Sequence, residues 1–594
     1  MAPRARPLRA LIAMLVVVLG SSVWADREIG TNLATLHSGS TEWAFVDIFR
    51  QAGQWIPQTV DSTGPWDTGE TLLLTPDGWP LLQPGQAAGV VIADGDGRYP
   101  AGQYLCLYDG TGTIEFHIDA TVVSSQSGEI VIDVLPSNLI HLKIVATDWS
   151  DPVRNIRLIM PGFWDDYETQ VFHPLFLERL APYRVIRFMD WQRTNTTTVS
   201  SWSQRANPFQ PTQTTSAGVA LEHMIALANR TGSSPWFCIP HLADDDYVTQ
   251  FATMVRDQLD PTIPAYIEYS NECWNGAFPQ ADHCQAQGVA LGLGTSPFQS
   301  QVRYYSQRAV EIFQIFENVF GGTDRLVRVL GAQLVTPWVG EQVTLYQSAY
   351  QHVDALAVNP YVGVSIGTTD LPLVAGWEIA DTLSALNAEI PTIAVYTAAY
   401  RAFTDFLELE LISYEGGQHL VGVGPLQSNP DLAALFHATN RDEGMYSTYR
   451  ALLEAWHDNG GGVFMHYHAT ELPNLFGSWG ALEYQDQDLA EAPKFRALID
   501  HSTSEFRRGD CNQDGTLDLS DVVFVLEALF VVTQTPSCQD ACDSNDDGTV
   551  DLSDPIFGLG TLFTGGPEPG LPGSDCGGDP TFDALGCRSY SACP

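Results

Sequence analysis

The sequence predicts an α/β chain: a (β/α)8 TIM barrel interrupted by an inserted antiparallel β-sandwich and followed by a small helical module with EF-hand-like loops. Three observations predict it. Near-continuous apolar runs alternate with helical patterns through the body, a block of short alternating runs interrupts them early, and an Asp-rich loop occurs twice near the end.

Residues 1–25 read as an export signal and not as fold. Arg4, Arg6 and Arg9 precede an apolar run from Leu11 to Leu19 that is too short to span a bilayer, and Val23 to Ala25 offers a small-residue cleavage site. The expected chain is secreted, with retention at the cell surface as a further option. No other stretch is apolar and long enough for a membrane span. With 71 acidic against 28 basic residues and a net charge of -43, the chain repels phosphates, which excludes nucleic acid as a partner.

Residues 26–64 hold the first barrel strand, over 28–36, and an amphipathic helix expected from Trp43 to Trp55. Residues 65–155 carry short alternating runs (Gly102 to Tyr108, Thr113 to Ile118, Glu129 to Val134, Ile140 to Val145) divided by Gly, Asp and Pro turns, the pattern of an antiparallel sandwich. Residues 156–505 return to strand and helix alternation. Strands are expected at Arg184 to Met189, Pro235 to Ile239, Ala265 to Tyr269, Leu326 to Leu330, Ala355 to Val358, Glu410 to Tyr414 and Gly462 to His466. With the strand at Ile29 they make eight, the count of a closed parallel barrel. No Gly-rich phosphate fingerprint follows any of them, which argues against an open nucleotide-binding sheet.

The segment from Ala265 to Asn275 is the richest in chemistry. It is a short apolar strand that stops on Asn271-Glu272 and enters an aromatic loop. A second acid, Glu415, follows the strand at Glu410 to Tyr414. Two carboxylates on two strand ends can cleave a glycosidic bond. His466 and His468 alternate on the last strand and, with Glu471 or His419, offer a weaker metal reading that lacks a compelling third ligand.

Residues 509–564 contain the repeat. The first copy supplies Asp510, Asn512, Asp514, Thr516 through its carbonyl, Asp518 and Asp521; the second supplies Asp543, Asn545, Asp547, Thr549, Asp551 and Asp554. Gly515 and Gly548 stand at the sixth position of each loop. Hard oxygen donors at this spacing around a turn glycine suit Ca²⁺, one ion per copy. No cofactor is expected for catalysis. Six of the ten cysteines lie after residue 510, a density that suggests disulfides in an exported tail whose 15 pairings stay open. Cys273 and Cys284 either pair across the loop after Glu272 or remain isolated buried thiols.

The duplicated loop and helix, with Asp at position 12, resembles the type I dockerin module. The resemblance implies a cohesin-like or cell-surface protein partner, although the Cys-rich residues 565–594 lie outside the ordinary pattern. The body resembles the clan A glycoside hydrolases, which place Asn-Glu after the fourth barrel strand and Glu after the seventh. That resemblance implies retaining hydrolysis of a polysaccharide or oligosaccharide, with Glu272 as acid/base, Glu415 as nucleophile and Asn271 on the sugar 2-hydroxyl. Tyr361 is expected to hold Glu415 ionised by a hydrogen bond. His241 and Arg187 are further candidates around the substrate, and Trp479 is a candidate stacking platform. The alternative is a non-catalytic secreted glycan-binding or surface matrix protein with a calcium-dependent docking tail.

Overall fold

The structure is a computed structural model that describes residues 27–367, 376–502, 505–531, 536–579, 581, 585–587 and 590–593. The export-signal reading of 1–25 lies outside the described residues.

Eight parallel strands form one sheet: β1 (Ile29–Asn32), β2 (Val185–Arg187), β3 (Ser234–Ile239), β4 (Ala265–Tyr269), β5 (Leu326–Gly331), β6 (Ala355–Val358), β7 (Glu410–Ser413) and β8 (Phe464–Tyr467). Pairing runs in chain order from β1 to β7, and β8 pairs with β1. Two backbone bonds close the ring between β7 and β8, Gly462 N to Leu411 O at 2.7 Å and Ser413 N to Val463 O at 3.0 Å. The sheet is therefore a parallel α/β barrel of the TIM type. Its strands are apolar on both faces because one face meets the surrounding helices and the other fills the barrel. The inner filling includes Val185, Trp236, Val329, Ala355, Ile412 and Met465.

Between β1 and β2 lie two four-stranded antiparallel sheets. One orders Ile56–Thr59, Gln86–Ala93, Ile140–Thr147 and Gly112–Ile118; the other orders Arg154–Ile159, Gly102–Asp109, Glu129–Val134 and Ala120–Gln126. They share a separate buried cluster that includes Val90, Tyr104, Ile132 and Leu142.

The helix expected from Trp43 to Trp55 is absent. Only a 3-10 turn, Ile48–Gln51, forms there. The reason is packing: Ala44 and Phe45 enter the barrel core, whereas Trp43, Ile48, Phe49 and Ala52 enter the core of the two sheets. A segment that serves two cores is held extended, and Phe45 and Asp47 bridge Phe172 and Ile159 instead of their helical neighbours.

In the tail, helices Leu519–Phe530 and Ser553–Leu559 follow the two Asp-rich loops. They meet where Gly558 lies against Val522. Phe530 and Phe563 stay exposed, at 67% and 65%, so the ends of the two repeats do not pack on each other. Disulfides join Cys511 to Cys542, Cys538 to Cys587 and Cys576 to Cys593. Cys106, Cys238, Cys273 and Cys284 are buried free thiols. Among the described residues, no helix is long and apolar enough to cross a membrane.

Candidate active site

The C-terminal ends of β4, β6 and β7 and the segment after β8 open onto one cavity of about 770 Å³. Its lining includes Asn271, Glu272, Asn359, Tyr361, Glu415 and Trp479. The chain reaches the two carboxylates by different routes. After β4 the backbone enters the left-handed region at Ser270 (φ 61°) and again at Glu272 (φ 41°). Non-glycine residues held there cost about 1–3 kcal/mol each, and such strain collects at functional sites. Ser270 N bonds Ile239 O at 2.8 Å, and Asn275 N bonds Glu272 O at 2.7 Å, which fixes the turn. Glu415 lies two residues past β7.

The acids have separate supports. Glu272 Oε1 accepts from the Tyr414 hydroxyl at 2.6 Å, and its Oε2 accepts from Asn275 Nδ2 at 2.8 Å. Glu415 Oε1 accepts from Arg187 Nη1 at 3.0 Å, and its Oε2 accepts from the Tyr361 hydroxyl at 3.1 Å. Burial raises the carboxyl of Glu272 above its ordinary value, with Tyr414 and Asn275 pulling it back. Burial also raises that of Glu415, against the pull of Arg187.

Arg187 is fully buried beneath the cavity. It pairs with Glu268 Oε2 at 2.8 Å as well as with Glu415, and it donates to Asn32 Oδ1 and Asn271 Oδ1. Asn271 is thereby oriented from both ends: its oxygen accepts from Arg187 at 2.8 Å, and its nitrogen donates to Asn195 at 3.0 Å. Arg187 thus supports the cavity floor and is absent from the lining. Trp479 lines the wall with Tyr361 and Tyr467, whose rings meet it edge to face at 6.0 and 5.5 Å.

His241 falls outside this group. It sits two residues past β3 with its ring against His283, at 5.5 Å between centroids, and does not line the cavity. The loop after β3 turns it toward the helix Pro279–Ala290. His466 and His468 also part company. His466 bonds Tyr449, whereas His468 lies beyond the strand between Asp190 (2.9 Å) and Glu471 (3.0 Å). Burial alone would lower the His468 pKa, but Glu471 and Asp190 raise it to about 9. Among the described residues, no group of three or more His, Cys, Asp or Glu side chains is arranged to hold a metal.

Sequence reasoning missed Glu268, Tyr414, Asn195, Asn359 and Glu389. Glu268 had a signal: a buried Arg inside a barrel needs an acid elsewhere in the barrel interior. Tyr414 and Asn359 adjoin motif residues, but nothing in the sequence says which carboxylate each one meets. Glu389 comes from the helix Ile379–Leu407 and accepts from Gly363 N and Ser365 Oγ, both at 2.6 Å.

In the tail, the two Asp-rich loops repeat one bonding pattern. Gly515 N donates to Asp510 at 2.8 Å, and Gly548 N donates to Asp543 at 2.9 Å. Asp521 accepts from Asp518 N and Asp554 from Asp551 N, both at 2.8 Å. Asp510, Asp521, Asp543 and Asp554 are all buried. Burial, with Asp510 and Asp514 close by, pushes Asp521 up to about 6. Oxygen-only donors, an Asn amide and a Thr carbonyl beside the Asp residues of each copy, are the chemistry a hard cation prefers. Only two Asp in each loop are buried, however, and among the described residues the carboxylates do not converge into a ready metal-binding group. The Tyr590 hydroxyl of the Cys-rich segment also donates to Asp510.

No protein-family model matches the chain, and no curated protein matches it. Among solved structures it is similar to a GH51 arabinofuranosidase from Xanthomonas axonopodis pv. citri, at 11% identity over 58% of this chain and 71% of that one, with a TM-score of 0.36. It is also similar to a fungal β-1,4-galactanase, at 12% identity over 55% and 91% of the two chains, with a TM-score of 0.31. A GH10 structure from Paenibacillus barcinonensis gives 11% identity over 55% and 89%, with a TM-score of 0.30.

Proposed function

We propose that the chain is a secreted glycoside hydrolase that cleaves a polysaccharide or oligosaccharide by a retaining double displacement. The observation that carries the reading is the sharing of one cavity by Glu272 and Glu415, each with its own partners. Glu415, paired with Arg187 and receiving the Tyr361 hydroxyl, is the carboxylate and attacks the anomeric carbon. Glu272 forms no ion pair among the described residues, although the Arg187 charge also reaches it. It carries the proton that the leaving oxygen needs; it then removes a proton from the attacking water. Asn271, clamped by Arg187 and Asn195, offers its amide to the sugar 2-hydroxyl. Trp479 presents a ring face to the sugar, whose C–H faces suit aromatic surfaces. The retaining route needs the two carboxyls about 5–5.5 Å apart.

The test is a pair of variants. Glu415→Gln removes nearly all turnover on every substrate. Glu272→Gln loses about 10²–10⁴-fold on natural glycans but keeps turnover of aryl glycosides whose leaving groups need no proton. The first product carries the anomeric configuration of the substrate, read by NMR. Natural glycans bound but never cleaved, with both variants binding like the wild type, would favour the non-catalytic glycan-binding alternative.

We further propose that the two antiparallel sheets are an inserted β-sandwich and that the tail is a calcium-dependent docking module. Asp510, Asn512, Asp514, Thr516, Asp518 and Asp521 would hold one Ca²⁺, and Asp543, Asn545, Asp547, Thr549, Asp551 and Asp554 the other. Each ion would neutralise its loop's carboxylates. Leu519, Val523 and Phe530 are exposed in the first copy, and their counterparts Leu552, Ile556 and Phe563 are exposed in the second. This duplicated apolar surface suits a cohesin-like or cell-surface protein partner.

A further inference from the structure

The cavity that holds Glu272 and Glu415 has a third carboxylate and no cation. Glu389 reaches it from the helix Ile379–Leu407, and its two oxygens accept from Gly363 N and Ser365 Oγ. Among the described residues that line the cavity, none is Lys or Arg. His419 is the lining histidine, and burial lowers its pKa, which keeps it neutral at pH 7. The wall formed by Val364, Ser365, Glu389, Thr392 and Ile393 carries no basic side chain.

Two nearby cations are already committed. The Arg187 guanidinium is fully buried and satisfied by Glu268, Glu415, Asn32 and Asn271. His468 is held between Asp190 and Glu471 and is absent from the lining. A bound uronate or sulfate would therefore meet the carboxylates of Glu389 and Glu415 with no free counter-charge in the described lining, Arg187 being already shared by Glu268 and Glu415, in a site from which binding displaces water. Bringing like charges together at a binding surface costs several kcal/mol. The chain's net charge of -43 adds a long-range repulsion that slows the approach of any polyanion.

We infer that this cavity takes glycans whose units carry no negative charge, and that it discriminates against polyuronates and sulfated polysaccharides. The inference rests on the glycan-binding reading of the site. The remainder of the lining agrees with it. Asn195, Asn275, Gln333, Thr392 and Ser365 present neutral amides and hydroxyls, and Trp274 and Trp479 present ring surfaces. These groups recognise hydroxyls and C–H faces.

The experiment uses the full chain carrying Glu272→Gln, so that binding is read without cleavage. Neutral oligosaccharides (β-glucan, galactan, mannan and arabinan fragments) and anionic ones (oligogalacturonate and sulfated galactan fragments) are titrated by calorimetry at low and high salt. The expected result is a neutral ligand bound at least about a hundredfold tighter than any anionic one. Anionic binding should rise with salt, because screening relieves repulsion. A second variant, Val335→Arg, places a cation on the exposed lining; Val335 is 52% exposed. It should improve anionic binding at least about tenfold. An anionic fragment bound as tightly as the best neutral one, with binding that weakens as salt rises, overturns the inference. Failure of every fragment to bind also overturns it. Wild-type turnover separates the two proposals: cleavage of a polyuronate leaves the hydrolase reading standing and removes this one.

Discussion

Tyr414, the residue immediately before Glu415, donates its hydroxyl to Glu272 Oε1 at 2.6 Å. One strand end therefore supplies one carboxylate and holds the other. The same economy appears below them, where Arg187 on β2 pairs with Glu268 on β4 and with Glu415 after β7. Three strands distant in sequence are tied to one guanidinium. The positions of the two acids are thus linked by a network that has to be complete to be stable.

The first prediction follows from the tyrosine. A hydrogen bond to a carboxylate favours its charged form, so Tyr414 lowers the Glu272 pKa against the burial that raises it. In Tyr414→Phe the Glu272 pKa rises. If Glu272 is the acid, activity depends on its protonated form, so the alkaline limb of kcat/KM against pH moves upward. The pH profile on a substrate with a poor leaving group measures it. An alkaline limb that stays in place or moves down removes Glu272 from the acid's role.

The second concerns Arg187. Arg187→Met leaves Glu268 and Glu415 buried without their cation. Breaking a buried pair from one side costs about 3–5 kcal/mol, and two acids share this partner. Urea unfolding should show a loss of at least that order, together with loss of turnover. Adding Glu268→Gln to Arg187→Met should recover part of the stability and none of the activity, because Glu415 still lacks its partner.

The barrel was legible because its strands are short apolar runs at regular spacing, and a parallel barrel buries both faces of each strand. Asn271, Glu272 and Glu415 were legible because strand order places them at the same mouth. The segment from Trp43 to Trp55 misled because its apolar spacing imitates a helix while its residues divide between two cores. His241 misled because position after a strand does not give the direction of a side chain in a loop. Glu389 had no signal of its own: it lies mid-helix, and only the packing of that helix over the barrel mouth brings it to the cavity.

A third prediction concerns Glu42, which is buried; a side-chain bond from Thr470 and, more weakly, the charge of His468 steady its ionised form. Burial raises its pKa from 4.5 to about 8. The folded state therefore keeps this proton where the unfolded chain has lost it. Its contribution is fully present below about pH 4.5 and is lost as pH rises toward 8, at up to about 1.4 kcal/mol per pH unit. Glu42→Gln removes that slope. Melts from pH 5 to 8 should show the wild type losing stability relative to the variant as pH rises; parallel curves would mean that Glu42 ionises normally.

The last prediction is about the tail. Each Asp-rich loop brings four Asp and one Asn as candidate donors, and two of the Asp in each copy are buried. Without a cation these carboxylates repel at short range, and so small a module has little core to oppose them. Ca²⁺ binding should therefore contribute directly to the module's folding free energy. The disulfide between Cys511 and Cys542 joins the starts of the two loops, and Cys538 to Cys587 ties the Cys-rich segment to the second. Arg508, fully buried, adds pairs to Asp546 and Asp579. These crosslinks limit the unfolded ensemble, so calcium dependence should be stronger in the reduced chain than in the oxidised one. Calorimetry of the full chain should show two Ca²⁺ bound. Calcium should raise the melting temperature of a transition that Asp510→Ala with Asp543→Ala abolishes or makes insensitive to EDTA. Turnover at the barrel should be unchanged in that double variant, because Glu272 and Glu415 belong to the parallel barrel and not to the loops. A chain that binds no calcium and melts identically in EDTA would reduce the repeats to a disulfide-held fold.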